Sequence, residues 1–196
     1  MRDITVNEMQ FILSLAKNPF VDYNAHNLSK QLGISPMGAL KIAKKLEKDD
    51  IVISKKLGQA IFYTINLQND YVRQYLKFLL RREAEQAQQY IKVWVREIRK
   101  IKSADCALLF GSVLKKYEHA HDIDVLLVTD DKRFKLLQAE IESINQINTK
   151  PIHPIYQSKD DLIKNLRKQD PVVLNALKGI AVFGEDVFLE VLHELT

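Results

Sequence analysis

Apolar positions recur along this chain with two different periods, and the change of period divides it. From Thr5 onward Met9, Ile12, Leu13 and Ala16 follow helical spacing, after a Thr5-Val6-Asn7-Glu8 capping-box pattern. That helix is expected to end near Asn18-Pro19, because the residue before proline avoids the helical region. A second helix is predicted from about Asn24 to Leu32, stopped by Gly33. A third opens at Ser35 with Pro36 in its first turn and turns Ala39, Ile42, Ala43 and Leu46 inward. The run VISKKLGQAIFYTIN then reads as two short strands joined around Lys56-Leu57-Gly58-Gln59.

Residues 70–102 contain neither Gly nor Pro and have long-helix composition. Unbroken, such a helix would be about 50 Å long, so a break is expected near Arg82–Gln86. Tyr71, Val72, Tyr75, Leu76, Phe78 and Leu79 form a broad apolar face, wider than one small domain needs to cover, and it predicts pairing with a second chain. Tyr90, Ile91, Trp94, Val95 and Ile98 form a second patch, with Trp94 read as core. Beyond residue 102 short apolar runs alternate with helical patterns: strands at Ala107–Phe110, Val125–Val128, Pro151–Gln157 and Ile180–Phe183, and helices between and after them. The two prolines of Pro151–Gln157 put that strand near an edge. The division expected is 1–68, 69–102 and 103–196, in an α+β chain.

Charge sharpens this division. The net charge of +4 is uneven. Residues 1–68 carry nine Lys/Arg against six Asp/Glu, 69–102 carry nine against four, and 103–196 carry eleven against fifteen. A basic front suits a polyanion and an acidic back suits cations. The single cysteine, Cys106, rules out an internal disulfide framework and fits a reducing compartment. With no apolar run of membrane-spanning length and an N-terminus unlike a signal peptide, the expectation is a cytoplasmic protein away from membranes.

The candidate chemistry lies in ALLFGSVLKKYEHAHDIDVLLVT, from Ala107 to Thr129. Residues i and i+2 of a strand share a face, so Asp122 and Asp124 are neighbours while Ile123 and Val125 point into a core. Two carboxylates about 6–7 Å apart along a strand can share a hard cation such as Mg²⁺. Gly111 lets backbone approach a ligand, and Ser112 offers an N–H and a hydroxyl where a helix would start, a place for phosphate. His119 and His121 crowd Asp122. A His-x-His-Asp run is able to ligate a transition metal, and the plainer reading is an exposed loop pair.

Two resemblances follow from these residues. The segment NLSKQLGISPMGALKIAKKLEKDDIVISKKLGQAIFYTIN, within Thr5 to Leu67, resembles a winged helix-turn-helix domain. The resemblance implies that the third helix enters the major groove of double-stranded DNA while the wing meets its backbone. Ser35, Met37 and Lys41 would lie nearest bases, and Lys44, Lys45, Lys55 and Lys56 would meet phosphates. Gly111-Ser112, a nine-residue spacer and Asp122-Ile123-Asp124 on the next strand resemble the polymerase-beta-like nucleotidyltransferase superfamily. That resemblance implies Mg²⁺ on Asp122 and Asp124, the phosphates of a nucleoside triphosphate on Gly111 and Ser112, and transfer of a nucleoside monophosphate to an acceptor hydroxyl.

Two departures stand against this second pattern. Val113 occupies a position where many small members carry arginine, and the third strand has no carboxylate, His153 and Tyr156 being its titratable residues. An enzyme coupled to a DNA-binding domain, and a DNA-binding regulator whose second domain senses nucleotide or serves as a scaffold, both remain open.

Overall fold

A computed structural model describes residues 4–195. The chain divides into two compact units, Met1–Leu79 and Leu80–Thr196.

The first unit is built on three helices and a small sheet. Helix α1 (Val6–Lys17) begins with the capping box: the Glu8 N–H donates to Thr5 Oγ1, and the Thr5 N–H donates to Glu8 Oε2 at 2.8 Å. Its C-terminal flank is Asn18, as Pro19 requires. Helix α2 (Ala25–Leu32) is capped by Asn24 and closed by Gly33, whose φ of 64° is the left-handed conformation that glycine accepts without strain. Helix α3 (Pro36–Lys48) starts at Ser35 and buries Ala39, Ala43 and Leu46, with Ile42 half-buried. Strands β2 (Val52–Leu57) and β3 (Ala60–Ile65) form an antiparallel hairpin with Gly58 and Gln59 at its turn. A two-residue strand that the sequence pattern does not suggest, β1 (Tyr23–Asn24), pairs with β3, giving the order β1-β3-β2. This is the three-helix and wing arrangement. Phe11, Ile12, Leu28 and Leu46 fill its core, and Phe11 meets Tyr63 edge to face at 6.3 Å.

Helix α4 (Asp70–Gln86) runs across the boundary between the units. The long-helix composition yields two helices, α4 and α5 (Gln89–Ile98), with the break at residues 87–88, just past the stretch expected to hold it. The broad apolar face of α4 also divides. Val72, Leu76, Leu79 and Leu80 are buried, whereas Tyr71 and Phe78 stay exposed and stack in file with Tyr75.

The second unit holds a four-stranded mixed sheet of order β6-β5-β4-β7. Strand β4 (Cys106–Phe110) pairs antiparallel with β5 (Ile123–Val128) and with β7 (Ile180–Phe183). Strand β6 (Ile152–Gln157) lies parallel to β5 at the edge, where Pro154 belongs, with Pro151 just before it. Between β4 and β5 come a single helical turn, α6 (Val113–Lys116), and a 3₁₀ turn at Tyr117–His119. Helix α7 (Phe134–Ile147) joins β5 to β6. Helices α8 (Lys159–Arg167), α9 (Pro171–Leu177) and α10 (Glu185–Leu195) complete the unit. Trp94, Ile98, Leu109, Val125, Leu127, Leu137 and Ile141 share one core, and Trp94 is buried in it as expected. Cys106 is buried in β4, and burial pushes its thiol up to about 12. It is therefore an inert packing residue.

Among the described residues no helix is long and apolar enough to cross a membrane.

Candidate functional site

Strand pairing brings the polar groups of the second unit together. Phe110, the last residue of β4, lies opposite Asp124 on β5, so the chain leaves β4 beside that carboxylate. Gly111 follows with φ of 80°, and a Cβ built on it would fall 1.9 Å from Asp124 Oδ2. Only glycine fits that cradle, on grounds of both backbone conformation and space. On the other side of β5 the parallel register places His153 opposite Asp124, with the imidazole Nδ1 3.5 Å from Asp124 Oδ1. Asp122, one residue before β5, completes a group of three. One ligand atom from each of Asp122, Asp124 and His153 lies within 4.8 Å of the others. Both aspartates are half-buried, and His153 is exposed.

The Gly-Ser pair contributes less than a helix start would. Ser112 already has helical dihedrals and makes no side-chain cap, and α6 is only four residues long. Little helix dipole gathers there. What remains available is the backbone of the turn and the Ser112 hydroxyl. The departure at Val113 has a packing cause: its side chain is fully buried in the core, a place that would strand a guanidinium. Lys115 and Lys116 are exposed.

A residue that sequence reasoning passed over holds the spacer loop. The Lys150 ammonium donates to the carbonyls of Glu118 and Ala120 and lies 5.5 Å from the centroid of the Tyr90 ring. No local pattern marks it, because its partners lie about thirty positions away. His119 and His121 are exposed and stand outside the three-residue cluster.

In the first unit the residues singled out by resemblance fall on outward surfaces. Met37 is 61% exposed, and Lys41, Lys44, Lys55 and Lys56 are exposed as well, as is Lys48 further along α3. Two residues are committed elsewhere. Ser35 Oγ accepts the Gly38 N–H at 3.0 Å as the cap of α3. Lys45 is ion-paired with the buried carboxylate of Glu8. Burial raises the Glu8 pKa, but hydrogen bonds from Lys45 and Thr5 and the Lys45 charge outweigh it, leaving the pKa below its ordinary value.

No protein-family model matches the chain, and no curated protein does. Solved structures similar to about half of it include the adhesin competence repressor AdcR of Streptococcus pyogenes. There the identity is 16%, the coverage 51% of this chain and 69% of AdcR, and the TM-score 0.38. Lactococcus lactis ZitR, described as a zinc-responsive MarR family member, is 14% identical over 50% of this chain and 74% of its own, with a TM-score of 0.31. A ZitR variant in complex with DNA gives 12% identity, 50% and 72% coverage and a TM-score of 0.31. Overlaps this distant assign neither family nor activity.

Proposed function

We propose that this protein is a DNA-binding regulator whose second unit binds a divalent cation together with the phosphates of a nucleoside triphosphate. The observation that carries the regulator reading is the exposed lysine face of α3, with Lys41, Lys44 and Lys48 on one side and Lys55 and Lys56 on the adjoining wing. Lysine is a point-charge partner for phosphate, and a helix with a flanking hairpin suits a groove and its two backbones. Met37, also exposed, stands near the helix start where base edges would be met.

In the second unit Asp122 and Asp124 would hold the cation, and the turn at Gly111-Ser112 would accept the phosphates. The donor set suits this, and the Cβ-free cradle at Gly111 keeps the approach to Asp124 open. A bound cation would neutralise phosphate charge and bridge it to the aspartates. The resemblance implies Mg²⁺ in that role.

Nucleotidyl transfer to an acceptor hydroxyl is the second reading, favoured by Asp124 lying against the Gly111 turn with Asp122 beside it. His153 in place of a third carboxylate favours the regulator, since an imidazole brings no negative charge to a second metal.

Two experiments test these readings. Duplex DNA binding should weaken steeply between about 50 and 200 mM salt. Lys41→Gln/Lys44→Gln/Lys48→Gln should weaken it for all sequences. Absence of duplex binding at low salt would make the first unit a protein-docking module. Pyrophosphate release from labelled nucleoside triphosphates, compared between the natural chain and Asp122→Asn/Asp124→Asn, decides the enzyme reading. Equal release from both proteins removes it.

A further inference from the structure

The cluster at the edge of the second sheet differs in its chemistry from a pair of aspartates. We propose that Asp122, Asp124 and His153 form a mixed oxygen–nitrogen site that takes a first-row transition ion, with Mn²⁺ as its probe, in preference to Mg²⁺. This rests on the cation reading above and concerns which cation the site selects.

Three observations lead to it. First, Asp124 and His153 come from two strands whose register is fixed by the parallel β5–β6 ladder, which holds His153 opposite Asp124 by backbone pairing, and Asp122 lies one residue before β5. The start of β6 is itself clamped: the Ile152 N–H donates to Asn145 Oδ1 at 2.7 Å, and the Asn145 side-chain amide donates back to the Ile152 carbonyl. Second, the imidazole already faces Asp124 through Nδ1 at 3.5 Å, and the three ligand atoms span no more than 4.8 Å. One ion with bonds of about 2.1 Å draws such a set together with small side-chain rotations. Third, His153 is 68% exposed and Asp124 23%, so the site opens to water on the imidazole side and an entering ion can keep part of its hydration shell.

The selectivity follows from donor type. Mg²⁺ demands oxygen ligands and gives up its waters reluctantly. Imidazole nitrogen is a ligand for first-row transition ions, and two carboxylates beside it suit Mn²⁺ and the ions above it in the Irving–Williams order. A third carboxylate would remove that bias; a histidine introduces it.

The full chain, without nucleotide, is titrated with Mn²⁺ and with Mg²⁺ by calorimetry, and Mn²⁺ broadening of the histidine ring resonances is followed by NMR. Mn²⁺ should bind at least about tenfold tighter than Mg²⁺, and the His153 signals should broaden first. His153→Ala should lower Mn²⁺ affinity about tenfold with little change for Mg²⁺. His153→Asp should narrow the gap between the two ions. His119→Ala/His121→Ala should leave both affinities alone. Unchanged Mn²⁺ affinity and unchanged selectivity in a folded His153→Ala chain would overturn the proposal while leaving the cation reading intact. If the natural chain binds neither ion, or Asp122→Asn/Asp124→Asn binds both as well as the natural chain does, the cation reading falls and this proposal falls with it.

Discussion

The two units carry their candidate chemistry in opposite ways. In the first, the lysines of α3 and the wing, Lys45 apart, project from elements that pack through their opposite faces, so each is replaceable without disturbing the fold. In the second, Asp124 is hemmed between Gly111 and His153 by backbone pairing, so its neighbours cannot change without consequence. A surface interface distributes its effect over many weak contacts, whereas a cluster at a strand junction concentrates it in a few groups.

The largest effect that would sharpen this contrast is expected at Gly111. Gly111→Ala places a methyl group against the Asp124 carboxylate and forces a side chain into positive φ. A destabilisation of about 2–4 kcal/mol is expected, measured by denaturant unfolding, together with loss of divalent-ion binding. Near-natural stability with binding retained would mean that the turn has room to move, and the contrast would collapse.

Next comes Lys45, the exception among the lysines. Lys45→Met leaves the buried Glu8 carboxylate without its cation and should cost about 1–2 kcal/mol, a figure discounted because Lys45 is itself partly exposed. Lys44→Met should cost less than about 0.5 kcal/mol. Equal costs would show that the Glu8 pair adds nothing. The same pair predicts a pH dependence. The folded Glu8 pKa lies below its unfolded value, so its stabilising contribution is complete above the unfolded carboxylate range. It is lost as pH falls through the lower folded value. Thermal melts across that range should show the loss in the natural chain and a smaller one in Glu8→Gln.

Smaller still is the effect of single surface lysines on DNA. Removing one phosphate contact, as in Lys56→Gln, should reduce the slope of log K against log salt by about 0.9, read by fluorescence anisotropy on duplex. The smallest expected response is that of Cys106. A buried thiol with its pKa pushed up to about 12 should resist alkylation in the folded chain and react only on unfolding.

Much of the fold was legible because its signals are local. The Thr5 and Glu8 capping box, Gly33 closing α2 and Ser35 with Pro36 opening α3 each need only a few consecutive residues. Strand β1 was not legible, because two residues have no period and pair only through β3. The break at residues 87–88 was hard to place because neither Gly nor Pro marks it. At the site, the spacing of Asp122 and Asp124 pointed to two neighbouring carboxylates, and they are neighbours although Asp122 lies just before β5 and not on it. His153 could be named as the titratable group on its strand, but its register against Asp124 depends on a parallel pairing across 29 residues. Lys45 illustrates the converse. Its outward position is readable from helical spacing, while its partner Glu8, 37 residues earlier, is not.

The rim of the second sheet has one more consequence. Along β6 the backbone groups of alternate residues turn away from β5, and at that rim Ile152 has both of its groups taken by the Asn145 amide while Pro154 has no N–H to offer. An incoming chain that tried to lengthen the sheet there would find no continuous ladder to join. Fibre-like growth by strand addition is disfavoured along that rim.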